Sequence, residues 1–360
     1  MEKNIDKEKS ANSFLKSFFD IEYNKNKLLF SNLENIYSLI TFLSHNIEDL
    51  DMETPDLSCG ARKDLVEKLK LIEGFYKSMK IDFNIEDIVK NGTFNIISTN
   101  NPDEATFSEI YSGNNNYTVT EESYTDSKTT QKVVTYKEYH ETININNNDL
   151  LTDSIIWVHE ASHYRNQPYK QRWEVNDILT ELVAFTEELV YIDYLKIVGY
   201  EEEANMFAVA AYNNFYYFLT RSYYIIRIVL LYYSLGEISK ESYKMLYGKD
   251  KDYKKSLNIF FKEIQVNRKS IFTLLYYSVG AISMYNYTEY KRDPTFFAKV
   301  QELNSALLTN SASLENSLKI INISLNEESL QRILDNINIF KEEIKKESKT
   351  KVLRKNKQQR

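Results

Sequence analysis

Cysteine is nearly absent from this chain. Cys59 stands alone in 360 residues, which excludes an internal disulfide framework and a thiolate metal cluster and fits a reducing compartment. Proline (4) and glycine (8) are scarce too. Sheet-rich folds with many tight turns draw on both, so their scarcity points to a mainly helical protein. Positive charge is not in surplus. Lys and Arg number 45 against 52 Asp and Glu, giving a net charge of −7 and a pI of about 5.4. No global basic field therefore invites nucleic acid or an anionic membrane. Long uncharged apolar runs are also missing. The most apolar stretch, 206–235, is interrupted by Asn213, Asn214, Arg221 and Arg227, whereas a membrane span needs about 20 largely apolar residues. The first ten residues are charged and no signal-peptide core follows them. The expectation is a cytoplasmic protein without membrane or nucleic-acid partners.

What is present divides the chain into four stretches. Residues 1–90 carry apolar positions at helical spacing, among them Phe14, Leu15, Phe18 and Phe19, then Leu65, Leu69, Ile72, Phe75 and Tyr76, with a break near 52–60 at Pro55 and Gly60. Residues 91–148 turn β-branched, aromatic and partly alternating, which predicts a small antiparallel β-meander. Residues 149–347 read as successive helices. One is capped by Thr152 or Asp153 and runs through Tyr164. The next is capped by Asn176 or Asp177 and ends before Gly199. Further helical patterns cover 202–234, 239–247, 252–289, 294–308 and 327–347. Residues 348–360, with six Lys and Arg, read as a frayed, disordered basic tail.

The segment that carries chemistry is Trp157-Val-His-Glu-Ala-Ser-His-Tyr. His159 and His163 are four apart, so on a helix they share a face and can hold one Zn²⁺. Glu160, beside the first histidine, can reach a water on that ion but not easily the ion itself, which is the place of a general base in metal-assisted hydrolysis. A catalytic zinc needs a third protein ligand and one open position. Glu181 lies eighteen residues past His163, far enough for a helix to end, turn and return. It is assigned as that ligand, with Glu188 as an acceptor for a histidine N–H. Glu174 and Asp177, nearer the turn, are rivals.

These residues resemble the oligoendopeptidase F and thimet oligopeptidase family of zinc peptidases. The likeness runs from about 140 to 345. It is carried by Ile143 to His163, by Asn166-Gln-Pro-Tyr, by Leu179-Thr-Glu-Leu-Val-Ala-Phe-Thr-Glu-Glu and by Phe272-Thr-Leu-Leu-Tyr-Tyr-Ser-Val-Gly-Ala. It implies a helical cleft enzyme that hydrolyses short peptides, with Glu181 as ligand followed by Glu188, and Tyr277 as a donor to the oxyanion. The chain departs from the pattern at Ser162, where the family has glycine, and at Asn267, Thr273 and Leu275, where active-site His and Tyr positions fall. The strand ending in His140-Glu-Thr-Ile-Asn-Ile is expected to lie beside the metal helix as an edge strand that pairs with an extended peptide. The functional expectation is a zinc metallopeptidase acting on peptides. Its alternative is an inactive zinc-binding descendant that binds a peptide or protein. A helical scaffold with a coincidental motif and a processing peptidase dedicated to one partner are further rivals.

Overall fold

The computed structural model describes residues 2–22, 32–90, 94–97, 107–125, 128–166, 177–249, 251–266, 270–306 and 314–358. In chain order its helices are α1 (Glu2–Glu22), α2 (Leu33–Asn46), α3 (Leu65–Ser78), α4 (Ile85–Lys90), α5 (Asp153–Asn166), α6 (Asp177–Ile197), α7 (Glu201–Leu235), α8 (Lys240–Tyr247), α9 (Tyr253–Val266), α10 (Ser270–Val279), α11 (Ala281–Arg292), α12 (Phe296–Ala306), α13 (Leu314–Ile320) and α14 (Glu327–Gln358). Between α4 and α5 come β1 (Phe94–Ile97), β2 (Phe107–Thr125) and β3 (Lys128–Asn146). The molecule is mainly helical. Two compact units are present: residues 58–175, and residues 1–57 with 176–360.

In the unit formed by 58–175, the strands do not make the expected meander. Their order is β1-β3-β2: β2 and β3 form an antiparallel hairpin, while β1 runs parallel to β3. Consecutive hairpins cannot produce that order, because a parallel neighbour requires a crossover. The edge-strand expectation is corrected with it. Over Ile143–Asn146, β3 pairs with β1, and over Ile143 and Asn144 it also pairs with β2, so it is an inner strand there. His140 lies opposite Tyr111 of β2.

In the unit formed by 1–57 and 176–360, α7 is the central helix, packed by α2, α6, α9 and α10. Seventeen of its residues are buried, from Ala204 to Leu231. Gly236, at φ 72°, closes it in the left-handed conformation that glycine adopts without strain. Alongside, α11 buries every residue from Ala281 to Thr288, which its sequence hides by mixing Ser, Asn and Thr with Tyr and Met. The single helix expected over 252–289 is instead α9, α10 and the start of α11. The chain breaks at Gly280, where a Cβ would stand 2.7 Å from the Tyr277 carbonyl oxygen, 2.8 Å from the Phe185 ring and 2.9 Å from the Phe215 ring. Gly280→Ala is expected to lower stability by about 1–3 kcal/mol through overpacking, read as a shift of the urea midpoint at constant m. At the C-terminus, α14 continues to Gln358, past the 347 at which the sequence pattern ends it. Among the described residues, no helix is long and apolar enough to cross a membrane.

The core of this unit is rich in buried tyrosine. Arg227, 2% exposed, lies over the rings of Tyr223, Tyr243 and Tyr247 and pairs with Asp252 at 3.0 Å. Burial pushes the Tyr243 and Tyr285 phenols up to about 12, and it also raises Tyr212, Tyr247, Tyr253 and Tyr287. An unfolded tyrosine ionises near pH 10. Between about pH 10 and 12 the unfolded chain therefore loses protons that the folded chain keeps, and stability falls as pH rises through that window. Denaturation midpoints compared at about pH 9 and about pH 11 should show the fall, with tyrosinate absorbance appearing together with unfolding.

Candidate metal centre

The two histidines come from α5, whose inward face is marked by what it buries. Trp157, Val158 and Ala161 are fully buried and Ser162 is 1% exposed, while Ile156 stays outside at 45%. With those positions turned inward, His159 (9% exposed) and half-buried His163 follow one above the other. Their Nε2 atoms are 3.0 Å apart, with ring centroids at 4.7 Å and planes at 78°. That contact is satisfied either by a proton shared between the rings or by a cation bound to both. Glu160 is half-buried beside them.

The start of α5 is held by a buried polar group. Residues 61–63 run antiparallel to 149–151: Lys63 N–H donates to the Asp149 carbonyl at 2.9 Å, and Leu151 N–H donates to the Ala61 carbonyl at 2.8 Å. This brings α3 beneath α5. The Lys68 side chain, 0% exposed, donates to Asp153 Oδ2 at 2.6 Å and to the Asn147 side-chain oxygen, and it lies 4.7 Å from the centre of the Trp157 ring. Asp153 also accepts from the backbone N–H of Asn148 (2.9 Å) and of Leu150 (3.2 Å) and from the Asn148 side chain (3.2 Å). The sequence singles out Asp153 only as a cap and misses Lys68. The signal was there, since Lys68, Ile72 and Phe75 follow at i, i+4 and i+7 along the buried face of α3.

Glu181 belongs to the second turn of α6 and is half-buried, with Leu182, Val183 and Ala184 fully buried next to it. Polar contacts tie this helix into its unit, among them three near its middle. Asn286 donates to Thr186 Oγ1 at 3.0 Å, Gln301 donates to the fully buried Glu187 at 2.9 Å, and the Tyr287 hydroxyl donates to Asp193 at 3.0 Å. Glu188 is half-buried on the same helix. Of the rival ligands, Asp177 is the first residue of α6 and Glu174 lies outside the described residues. Tyr277, on α10, is half-buried and packs its ring on Phe185 (5.3 Å between centroids) and Phe218 (5.2 Å). Phe185 is one helical turn past Glu181. Of the positions where the chain departs from the family pattern, Leu275 is fully buried and Asn267 lies outside the described residues.

His159, His163 and Glu181 each offer one ligand atom, and these atoms all lie within 4.8 Å of one another. Zinc–nitrogen bonds of about 2.0–2.1 Å at a tetrahedral angle set two ligand nitrogens about 3.3 Å apart, close to the 3.0 Å of the two histidines. Two imidazoles and a carboxylate are also the donor chemistry of a zinc site that leaves a fourth position open. The residues fit the ion.

No family model matches the chain, and no curated protein does either. Among solved structures, the chain is similar to the crystal structure of a candidate oligoendopeptidase F from Bacillus anthracis strain Ames, at 13% identity and a TM-score of 0.49. The match covers 90% of this chain and 57% of that one, so the chain spans little more than half the length of that protein.

Proposed function

We propose that this chain is a zinc-dependent peptidase in which His159, His163 and Glu181 hold the metal and Glu160 handles the proton. The observation that carries the reading is the grouping of those three donors, with a carboxylate directly after the first histidine. Zinc, when bound, supplies Lewis acidity and draws the pKa of water down towards about 7. Glu160 is turned about 100° round the helix from His159, a place from which it accepts a proton from water rather than ligating. In the reaction one water adds across the peptide bond, the C–N bond breaks, and Glu160 passes the proton it accepted to the departing amine. The substrate is a peptide in extended form.

Tyr277 is the proposed donor to the carbonyl oxygen as that oxygen gains charge. Its ring is steadied by Phe185 and Phe218, so removal of the hydroxyl alone should leave the packing intact. Tyr277→Phe is expected to lower kcat by about a hundredfold with little change in KM; unchanged kcat would remove Tyr277 from the site. The reading as a whole is tested on a mixed peptide library. Cleavage should stop on treatment with a chelator and return with stoichiometric zinc. Cleavage that survives complete metal removal would overturn it.

A further inference from the structure

A fully buried lysine is costly to keep, and Lys68 is spent on the helix that carries both histidines. Its ammonium is matched to three features of that helix and the turn before it: the Asp153 carboxylate, the Asn147 side-chain oxygen and the face of Trp157. Asp153 is the first residue of α5 and Trp157 lies one turn on. One cation therefore ties α5 at two successive turns, and His159 follows Trp157 by two residues. The same α3 helix meets α5 further along, where the Arg165 guanidinium stands over the Tyr76 ring at 5.4 Å, two residues beyond His163. The histidines thus sit between two cation–ring contacts linking α5 to α3. Asp153 is fully occupied, since two backbone N–H groups and an amide share its carboxylate with the ammonium. Apolar packing alone would let α5 rotate or slide by small amounts, because dispersion and burial are non-directional. An ammonium held by a carboxylate, an amide oxygen and an indole face has one geometry.

We infer that Lys68, through Asp153 and Trp157, is a positioning residue that sets the rotation and register of α5, and so where the His159 and His163 nitrogens stand within the unit formed by 58–175. The inference rests on the metal reading given above. With both charges of the Lys68–Asp153 pair removed together, it predicts a loss of metal affinity out of proportion to any change in folding, since groups that orient metal ligands are felt in the affinity.

The test is made on the full chain with zinc and with cobalt(II) as the spectroscopic substitute. Lys68→Met keeps the stem against Trp157 but leaves the Asp153 charge buried, so it can fail to fold. The double variant Lys68→Met/Asp153→Asn removes both charges and keeps an oxygen for the Asn148 and Leu150 N–H groups. It should hold a thermal midpoint close to the parent, bind zinc about tenfold more weakly, in the range known for groups that orient metal ligands, and give a weaker, broadened cobalt(II) visible spectrum. A folded double variant with the parent's zinc affinity and a superimposable cobalt(II) spectrum would overturn the positioning role while leaving the metal reading standing. A parent chain that takes up neither metal would instead contradict the metal reading.

Discussion

Glu160→Gln is expected to cut peptide turnover by roughly a hundredfold to ten-thousandfold, the usual contribution of a general base, while one zinc per chain is retained. Glutamine has nearly the shape of glutamate but accepts no proton near neutral pH. The residue is half-buried, so the exchange introduces no cavity and should leave the urea midpoint close to that of the parent. His159 and His163 keep their register because the side chains that hold α5, Lys68 and Asp153 together with Trp157, Val158 and Ala161, are untouched. Metal retention separates a lost base from a lost site. Turnover that survives the substitution would assign the proton to another group. Zinc in both proteins with no turnover in either would favour the binding descendant over the peptidase.

Lys68→Ala should be among the most destabilising single substitutions in the chain, at about 3–5 kcal/mol. The Lys68–Asp153 pair is 0% and 4% exposed at its two side chains. Truncating the lysine leaves a carboxylate out of water without its cation, and a cavity against Trp157. Folded domains are stable by only about 5–15 kcal/mol in total, so the loss is a large share. The nearby pair Lys63–Glu67 provides the contrast. It is 3.0 Å long but 18% and 50% exposed, and Lys63→Ala should cost less than about 1 kcal/mol. Urea denaturation of the three proteins side by side checks both numbers. Equal midpoints for Lys68→Ala and the parent would contradict the cost assigned to the buried pair.

The helix that carries the two histidines was legible because its signal is local. Two histidines four apart, preceded by the apolar Trp157 and Val158, specify a face without knowledge of anything else in the fold. For Glu181 the eighteen-residue spacing allowed a helix to end and return but left Glu174 and Asp177 as rivals, and it is the structure that groups Glu181 with the two histidines. Other features depend on partners distant in sequence. The strands over 91–148 announce themselves by composition, but their order does not, because β1 joins β3 across the whole length of β2. Gly280 reads as an ordinary glycine in a helical run, and only the rings of Phe185 and Phe215, brought in from α6 and α7, show why no larger side chain fits there. Lys68 falls on the buried face of α3 by its spacing with Ile72 and Phe75, but its partner Asp153, eighty-five residues later, is found only in the fold.

The most direct test of the central claim is the zinc content of the purified full-length chain, measured beside His163→Ala. The account predicts one zinc per parent chain and loss of that zinc in the variant, whose single remaining histidine and carboxylate make too few ligands for a stable site. A parent chain without zinc, or a variant that binds it as tightly as the parent, would contradict the account.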